Sequence, residues 1–272
     1  MQLRSKPERR QSVDNVNKTL YIPLYGKAYV SSRGLILEDK KAEEIWTAEG
    51  FSLKGKAKSK WLAYYMGMRS AVFDHWTLRR LEENPEAIVL HVGCGMDSRV
   101  LRVGNDACQW YDVDFPEVIA ERKQYFSETA NYHMIGADIR EEDWLTEIPG
   151  GKTAVIVMEG ISMYLKPEEL KAALKRWKDY FGEIRILMDS YTVFAARATK
   201  YKNPINQVGV TQVYGLDDPR ELEEGTGITF VREHTMTPDW LIDQLPRKEQ
   251  WIFRKLYAGK MAKKIYRLYE FR

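Results

Sequence analysis

Residues 87–126 read AIVLHVGCGMDSRVLRVGNDACQWYDVDFPEVIAERKQYF, and this stretch decides the fold. An apolar run from Ile88 to Val92 leads directly into a Gly93-Cys94-Gly95 turn, and a second short run ends in Asp114. A strand, a glycine turn, a helix and a strand closed by a carboxylate about 20 residues later are typical of a ribose-binding βαβ unit. Glycine lets the backbone approach a ligand closely, and an acid at the strand tip can accept both ribose hydroxyls. We therefore predict that Gly93, Cys94, Gly95 and Asp114 bind an adenosine-bearing cofactor, although glycine turns also occur for purely structural reasons.

The residues after the glycine turn indicate which cofactor this is. A pyrophosphate binder needs G-x-G-x-x-G/A, in which the third small residue lets the helix N-terminus face phosphate. Here Ser98 holds the third position and follows Asp97, an anion where a phosphate would lie. This pattern is evidence against NAD and FAD. It favours a ligand that has a ribose but no phosphate, such as S-adenosylmethionine (SAM).

Composition limits the class of protein. The 272 residues are 44% hydrophobic and 30% charged, which is ordinary for a soluble globular chain long enough to bury a sizeable core. A net charge of +3 is too small to imply nucleic acid as a partner. Two cysteines give no disulfide framework, four scattered histidines offer no metal cluster, and no apolar run approaches bilayer length. We expect a cytoplasmic protein without a metal site or a membrane segment, and the composition does not indicate an oligomeric state.

Periodicity along the chain predicts an α/β fold. Residues 1–16 are polar and basic and predict a loose arm, while residues 19–45 predict broken helical pieces and Trp61 to Leu81 a helix. Beyond Asp114, predicted strands alternate with predicted helices. The strands lie at 132–135, 154–158, 184–188, 228–233 and 264–271. Helices lie at 116–126 and 167–181 and within 238–258. We therefore predict a doubly wound, mostly parallel, Rossmann-like seven-stranded sheet with a final antiparallel pair. Residues 1–85 would form a helical N-terminal cap or lid, and residues 86–272 the SAM-binding domain. Residues 191–227 have no clean period and predict a helix with a variable loop.

Acidic residues follow successive strands of this predicted sheet. Ligands bind outside the carboxyl ends of parallel strands, so these acids should lie along one rim. Asp138 suits the exocyclic amine of adenine, with Ile139 and Trp144 packing near the ring, and Glu159 lies where the methionine part of SAM would run. Each acid alone also has a structural explanation, such as Asp138 capping the next helix. Asp112 should point to the opposite face from its neighbour, although a one-residue error would exchange it with Asp114.

Six segments together resemble the leucine carboxyl methyltransferase family. They read IPLYGKAYVSSRG, RSAVFD, VLHVGCGMDSRVLR, WYDVDFPEVIAERK, EDWL and MEGISMYL, and the similarity extends from about residue 17 to residue 233. The pattern is most similar to the bacterial branch around the tetracenomycin-type polyketide O-methyltransferases. The resemblance implies a class I SAM-dependent methyltransferase fold, in which N-terminal helices and a late insertion cover the active site. Residues 191–227 would be this late insertion and would contribute to the acceptor pocket.

The resemblance also implies roles that spacing alone does not give. Arg69 matches the family arginine that grips the SAM carboxylate, and Lys27 matches a second basic residue there. Glu159, Gly160 and Tyr164 fall in the family's E-G-x-x-x-Y segment beside the methionine part and the methyl group, which makes Tyr164 the candidate catalytic residue. Packing in the core explains Tyr164 equally well, and a helix-surface arginine would be the ordinary interpretation of Arg69.

The predicted activity is O-methyl transfer to a carboxylate, or less readily a phenolic hydroxyl, of a small, polyketide-like acceptor. Methyl transfer from a sulfonium needs mainly alignment and exclusion of water, and such positioning can contribute on the order of 7–11 kcal/mol. A carboxylate is already ionised at pH 7, whereas a phenol benefits from a base. His133 and His234 are predicted to lie away from the site rim, and His91 to be a hydrogen-bonded core residue, so no general base is evident. A protein C-terminal leucine carboxyl methyltransferase, a non-catalytic SAM-binding protein and a nicotinamide-dependent oxidoreductase are the alternatives.

Overall fold

The three-dimensional description comes from a computed structural model. It describes residues 18–50, 53, 55–104, 107–198 and 213–272. The predicted basic arm at residues 1–16 lies outside the described residues. In the described part of the chain, none of the helices combines the length and apolar character that crossing a bilayer requires.

The described chain forms one seven-stranded sheet with helices on both faces. The strands are β1 Ile88–Val92, β2 Gln109–Asp114, β3 Tyr132–Gly136, β4 Ala154–Met158, β5 Ile184–Tyr191, β6 Phe230–His234 and β7 Tyr266–Phe271. The strand order is β3-β2-β1-β4-β5-β7-β6, in which the first five strands are parallel and β7 is antiparallel to both of its neighbours. This confirms the predicted fold class, including the final antiparallel pair.

The helices of the described residues are numbered in chain order. They are α1 Lys18–Ser31, α2 Lys40–Glu49, α3 Lys60–Glu83, α4 Arg99–Val103, α5 Pro116–Arg122, α6 Pro167–Phe181, α7 Val193–Ala198, α8 Asp239–Ile242, α9 Arg247–Leu256 and α10 Lys260–Lys263. Short 3₁₀ turns span Gly55–Lys58, Asp143–Glu147, Ser162–Tyr164 and Pro219–Leu222. The predicted insertion at 191–227 thus contains α7 and one 3₁₀ turn, and its residues 199–212 lie outside the described chain.

The central strands are buried on both faces because helices cover each side. All five residues of β1 and all five of β4 are buried. Alternate residues of β1 enter two separate apolar cores: Val89 packs in one, and Ile88, Leu90 and Val92 pack in the other. Strands covered on both faces favour apolar side chains, and β4 is a continuous hydrophobic run, while the one polar residue of β1, His91, is hydrogen-bonded to Asp112.

Close helix packing joins the N-terminal helices to the rest of the protein. A Cβ on Gly26 of α1 would lie 2.6 Å from Met66 Cβ, and a Cβ on Gly67 of α3 would lie 2.9 Å from Val30 Cγ2. These two glycines therefore allow α1 and α3 to approach closely. The same region reaches the glycine turn through Asp39, which accepts hydrogen bonds from Ser98 and Arg102.

Element ends differ from the predicted ones in two instructive places. The helix after β2 ends at Arg122, because Gln124 and Tyr125 close i→i+3 bonds that tighten the chain into turns. Strand β5 continues three residues beyond its predicted end at Met188, because Asp189, Ser190 and Tyr191 pair with β7. The longer β5 carries Asp189 to the rim where the other strand ends lie.

Candidate functional site

The glycine turn and the β2 carboxylate lie side by side, as predicted. Gly93 and Gly95 adopt left-handed backbone angles, with φ of 66° and 50°. Asp114 Oδ2 accepts a hydrogen bond from Gly95 N at 2.8 Å, and its Oδ1 accepts one from Phe115 N at 2.8 Å. Burial raises the pKa of Asp114, although both backbone donors act in the opposite direction. The carboxylate is therefore held against the turn where a ribose would need it.

Side chains of the protein cover this turn in the described structure. A Cβ on Gly93 would lie 2.1 Å from Ile161 Cγ2, and a Cβ on Gly95 would lie 2.9 Å from Leu20 Cδ2. Cys94, between them, is buried, and burial raises the pKa of its thiol. A ligand that contacts the turn would therefore have to displace Leu20 at the start of α1 and Ile161 after β4.

A second carboxylate, Asp112, is linked to the glycine turn through Arg122. Asp112 is fully buried and accepts hydrogen bonds from Arg122 at 2.5 Å, Tyr132 at 2.7 Å and Trp110 at 2.9 Å, and it pairs with His91 at 3.0 Å. Arg122 in turn donates to the carbonyl oxygen of Gly95 at 2.9 Å. These partners of Asp112 are all protein side chains, and the predicted hydrogen-bonded core role of His91 is confirmed.

Asp97 does not present an uncompensated negative charge. Its carboxylate lies 3.0 Å from Lys27 Nζ, 2.9 Å from Arg102 Nη2 and 3.4 Å from Arg99 Nη2. Burial alone would raise the pKa of Asp97, but these cations lower it well below its ordinary value. The expected repulsion between Asp97 and a phosphate was wrong as a physical reason, because Lys27, Arg99 and Arg102 all pair with this carboxylate.

Arg69 and Glu159 meet at the carboxyl end of β4. Arg69 Nε lies 3.0 Å from Glu159 Oε1, and Arg99 donates to the other oxygen of Glu159. Burial alone would raise the pKa of Glu159. The positive charges of Arg69 and Arg99 outweigh this effect, so the pKa of Glu159 lies below its ordinary value. The Arg69 guanidinium also lies over Gly160, whose φ is 78°, so that a Cβ there would lie 3.5 Å from Nη1. Arg69 is thus buried in this site and is not a helix-surface residue.

Asp189 is a site residue that the sequence analysis missed. Its Oδ1 accepts a hydrogen bond from Gly160 N at 2.7 Å. Its Oδ2 accepts one from Arg69 Nη1 at 3.1 Å and one from the Tyr266 hydroxyl at 3.0 Å. Burial raises the pKa of Asp189 to about 6, in spite of the Arg69 charge. The available signal was its place after the apolar run of β5, the same position that Glu159 holds after β4.

The adenine-side residues lie at the other end of the rim. Asp138 follows Gly136 of β3, which pairs with Asp114 of β2. The Asp138 carboxylate is bound by its own loop, since Arg140 N and the Arg140 guanidinium donate to it at 2.5 to 3.0 Å. The hydrogen bond from Arg140 is the main reason why the pKa of Asp138 is lowered. Ile139 packs on the apolar core, and the buried Trp144 donates its indole N–H to Glu141 O.

Tyr164 and His234 complete the comparison with the predicted residues. Tyr164 ends the 3₁₀ turn after β4. Burial raises the pKa of its hydroxyl, the charge of Asp189 acts in the same direction, and the charge of Arg69 acts in the opposite direction. His234 is the last residue of β6, and two antiparallel pairings return β6 to the direction of β5. Its end therefore lies at the same rim as the other strand ends. The expectation that His234 lies away from the rim was wrong, because the sequence analysis left the direction of β6 open.

The residues present fit SAM in three respects. Gly93 and Gly95, both with positive φ, form the turn after β1, and the Asp114 carboxylate is bonded to this turn through Gly95 N. Arg69 is a buried guanidinium with five donors, so it could bind a ligand carboxylate while it keeps Glu159 and Asp189 as partners. Glu159 supplies a buried anion beside Arg69, which suits a cationic ligand group.

The sheet order, with its antiparallel edge pair, and these strand ends define a class I SAM-dependent methyltransferase. The sequence model of the leucine carboxyl methyltransferase family matches residues 10–178, and the chain belongs to this family. The tetracenomycin polyketide synthesis O-methyltransferase TcmP of Streptomyces glaucescens is 29% identical over 240 residues, which cover 87% of this chain and 89% of TcmP. The S-adenosyl-L-methionine-dependent methyltransferase dpfgK of Gibberella zeae is 27% identical over 235 residues, which cover 78% of this chain and 79% of dpfgK.

Solved structures share the fold at low sequence identity. The magnesium protoporphyrin IX methyltransferase of Synechocystis PCC 6803 with bound SAH superposes with a TM-score of 0.52 at 12% identity, covering 92% of this chain and 98% of that one. The same enzyme with bound SAM gives a TM-score of 0.52 at 11% identity, with 99% and 97% covered. At this identity the likeness supports the fold alone.

Proposed function

We propose that this methyltransferase transfers the methyl group of SAM to an oxygen atom, carboxylate or phenolic, of a small organic acceptor of polyketide-like chemistry. The similarity to TcmP, an O-methyltransferase of polyketide synthesis, supports transfer to oxygen, and the similarity to dpfgK supports the use of SAM. The observation that carries the proposal is the convergence of the glycine turn, Asp114, Glu159 and Arg69 at one rim of the sheet. Ionic contacts run continuously from Lys27 through Asp97 and Arg99 to Glu159.

In this proposal the described residues divide the cofactor among them. Asp114 holds the ribose, the backbone of Gly93, Cys94 and Gly95 lies along the nucleoside, and Asp138 with Ile139 holds the adenine. Lys27 and Arg69 bind the amino-acid carboxylate, and Glu159 with Gly160 faces the cationic end of the methionine part. Bound SAM supplies a methyl group on a sulfonium, which is a strong leaving group. The task of the chain is then to align the acceptor and exclude water, which can contribute on the order of 7–11 kcal/mol.

Charge exchange explains how Arg69 and Lys27 could accept a new carboxylate. Both cations are already paired, with Glu159 and Asp97 respectively, and both pairs are almost wholly buried. A planar guanidinium has five donors, so Arg69 can bind a ligand carboxylate on one edge while it keeps an internal partner on another. Tyr164, which follows Gly160 by one 3₁₀ turn, is the residue we place beside the transferred methyl group.

The test combines cofactor binding with a panel of acceptors. Calorimetry should detect SAM and SAH binding to the purified protein, and SAH release should follow on addition of small carboxylic acids or phenols. A peptide that ends in leucine belongs in the panel, because the family is named for that reaction. Tight SAM binding without SAH release on any acceptor would favour a binding protein without turnover. Absence of SAM binding would refute the proposal.

A further inference from the structure

Asp189 bonds Gly160 and Arg69, two residues of the proposed cofactor site, but the proposed function assigns no ligand group to its carboxylate. It is fully buried at the end of β5 and bonds Gly160 N, so it lies next to the methionine-side segment. Its Oδ2 receives the Tyr266 hydroxyl at 3.0 Å. In the described part of the chain, the donor on Tyr266 Oη is Arg69 Nη1 at 3.2 Å, which leaves the second lone pair of that oxygen for a ligand.

A cleft from the surface ends on this same tyrosine. Tyr65 and Tyr266 line it together with His234, Met236 and Lys263, between the end of β6 and the start of β7. Tyr65 donates to Met236 Sδ at 3.3 Å, so an aromatic ring and a flexible thioether form its apolar part. An aromatic ligand that widened this cleft would lie against the Tyr266 side chain, whose hydroxyl is bonded to Asp189.

The charges around the cleft's inner end disfavour an anionic acceptor. Glu159 and Asp189 are both buried carboxylates, and Arg69 is the cation that they share. Arg99 adds a second cation, but it is directed to Glu159, Asp97 and Asp74. A carboxylate acceptor would bring a further negative charge beside Glu159 and Asp189, whereas a hydroxyl acceptor would bring none.

We propose that Tyr266 and Asp189 form a proton relay for a neutral hydroxyl acceptor, a phenol or enol, that binds in the cleft beside Tyr65. This inference rests on the proposed function and decides between its two acceptor classes. The acceptor oxygen forms the new bond to the methyl carbon, and the sulfur–methyl bond breaks with its electron pair remaining on sulfur. The acceptor's proton moves to Tyr266 Oη while the Tyr266 proton moves to Asp189.

The surroundings of Asp189 suit a proton acceptor. It is faced by Arg69 and Tyr65 from α3, Glu159 from the end of β4, Tyr164 from the 3₁₀ turn, Tyr191 from its own strand and Tyr266 from β7. Burial raises the pKa of Asp189 to about 6, so the group is ionised at pH 7 and still takes up a proton readily. Burial also keeps Tyr266 protonated by raising its pKa well above the ordinary value, so Tyr266 passes a proton on and does not store one.

The first experiment uses para-nitrophenol and the protein without cofactor, because the probe's absorbance reports its ionisation. We expect the bound probe to show the phenolate band below the pH at which the free probe ionises. Asp189→Asn and Tyr266→Phe should abolish this band, and Tyr191→Phe should keep it. Tyr191 is the matched control because its ring packs on Tyr266 at 4.9 Å between centroids. A band that survives both relay variants, or a bound probe that stays neutral in the wild type, would overturn the relay.

The second experiment measures SAH release from the SAM-loaded enzyme with phenols and carboxylic acids of matched size. Loss of a general base typically costs 10²–10⁴-fold, so Asp189→Asn and Tyr266→Phe should lower kcat for phenols by about that factor with little change in KM. The wild-type rate should fall below about pH 6, where Asp189 becomes protonated, and this acid limb should vanish in Asp189→Asn. Circular dichroism confirms folding of each variant. Turnover of carboxylic acids only, with SAM bound normally, would refute the relay and leave the proposed function standing. Failure to bind SAM would refute the proposed function, and the nitrophenol band would still decide the relay.

Discussion

Replacing Asp114 with Asn separates a role in ribose binding from a role in holding the turn. The substitution keeps the shape of the side chain and one acceptor oxygen, but it removes the negative charge and one of two acceptors. In the described structure the two carboxylate oxygens accept from Gly95 N and Phe115 N, each at 2.8 Å. Burial disfavours the charged form of Asp114 and so raises its pKa above the ordinary value.

The expected magnitudes differ for folding and for binding. Loss of one backbone hydrogen bond should lower the free energy of unfolding by about 1 kcal/mol. Hydrogen bonds to a charged group are stronger, about 1.5–3 kcal/mol each, so loss of one ribose hydroxyl contact should weaken SAM binding roughly 10- to 100-fold. Because the pKa of Asp114 is raised, wild-type affinity should also decline as pH falls, beginning above the ordinary aspartate range.

Calorimetric titration with SAM and SAH, together with urea unfolding, measures both quantities on one preparation. Asp179→Asn is the matched control, because Asp179 is an exposed residue of α6 whose contact is an ion pair with Lys175. Both nucleosides should lose affinity equally in Asp114→Asn, since they share the ribose. A dissociation constant within about twofold of the wild type, with unfolding changed as expected, would show that Asp114 only supports the turn.

Substitutions at Arg69, Leu20 and Glu270 test three other features of the structure. Arg69→Lys keeps the charge but loses the guanidinium fork, so SAM affinity should fall about tenfold, while an analogue without the amino-acid carboxylate should bind as before; equal losses would make Arg69 structural. Leu20→Ala removes the side chain that covers Gly95, so stopped-flow fluorescence should show SAM associating several-fold faster, and an unchanged rate would mean that α1 does not gate the turn. Burial would raise the pKa of Glu270, but hydrogen bonds with His234 and Arg232 lower it to about 2. Since the folded pKa lies below the unfolded value of about 4.3, this carboxylate stabilises the fold above that pH by on the order of 3 kcal/mol and loses the effect as pH falls. Glu270→Gln should therefore unfold more easily at pH 7 but not at pH 2; an equal loss of stability at both pH values would contradict the assignment.

Elements whose sequence carries a local physical signal were predicted to the residue. Strand β4 at Ala154–Met158 is a continuous apolar run, as a strand covered on both faces must be. Helix α6 at Pro167–Phe181 begins with a proline, ends before a glycine and buries one face. The glycine turn and Asp114 were predicted for the same reason, because spacing within one βαβ unit fixes their proximity.

Residues that depend on partners far along the chain could not be predicted in this way. Asp189 and Ser190 look like the start of a loop because they are polar, yet they pair with β7, and Arg69 and Tyr266 satisfy the Asp189 carboxylate. The two partners lie 120 and 77 residues away in sequence. The charge of Asp97 was misjudged for the same reason, since the cation nearest to its Oδ2, Lys27, comes from α1.

The buried ion network has a composition that stability alone does not explain. It joins four cations and five carboxylates: Lys27, Arg69, Arg99 and Arg102 with Asp39, Asp74, Asp97, Glu159 and Asp189. Removing each ion from water costs several kcal/mol, and well-packed apolar residues often do as well or better, so such a network is weak evidence for stabilisation.

The formal charge of this network is one negative in excess. SAM carries an ammonium, a sulfonium and a carboxylate, a net charge of one positive, so the cofactor would complete the charge balance that the chain leaves open. If that complementarity is the reason for the network, neutralising Glu159 by substitution with Gln should weaken SAM more than a neutral nucleoside such as adenosine, and equal weakening of both ligands would assign the network to folding alone.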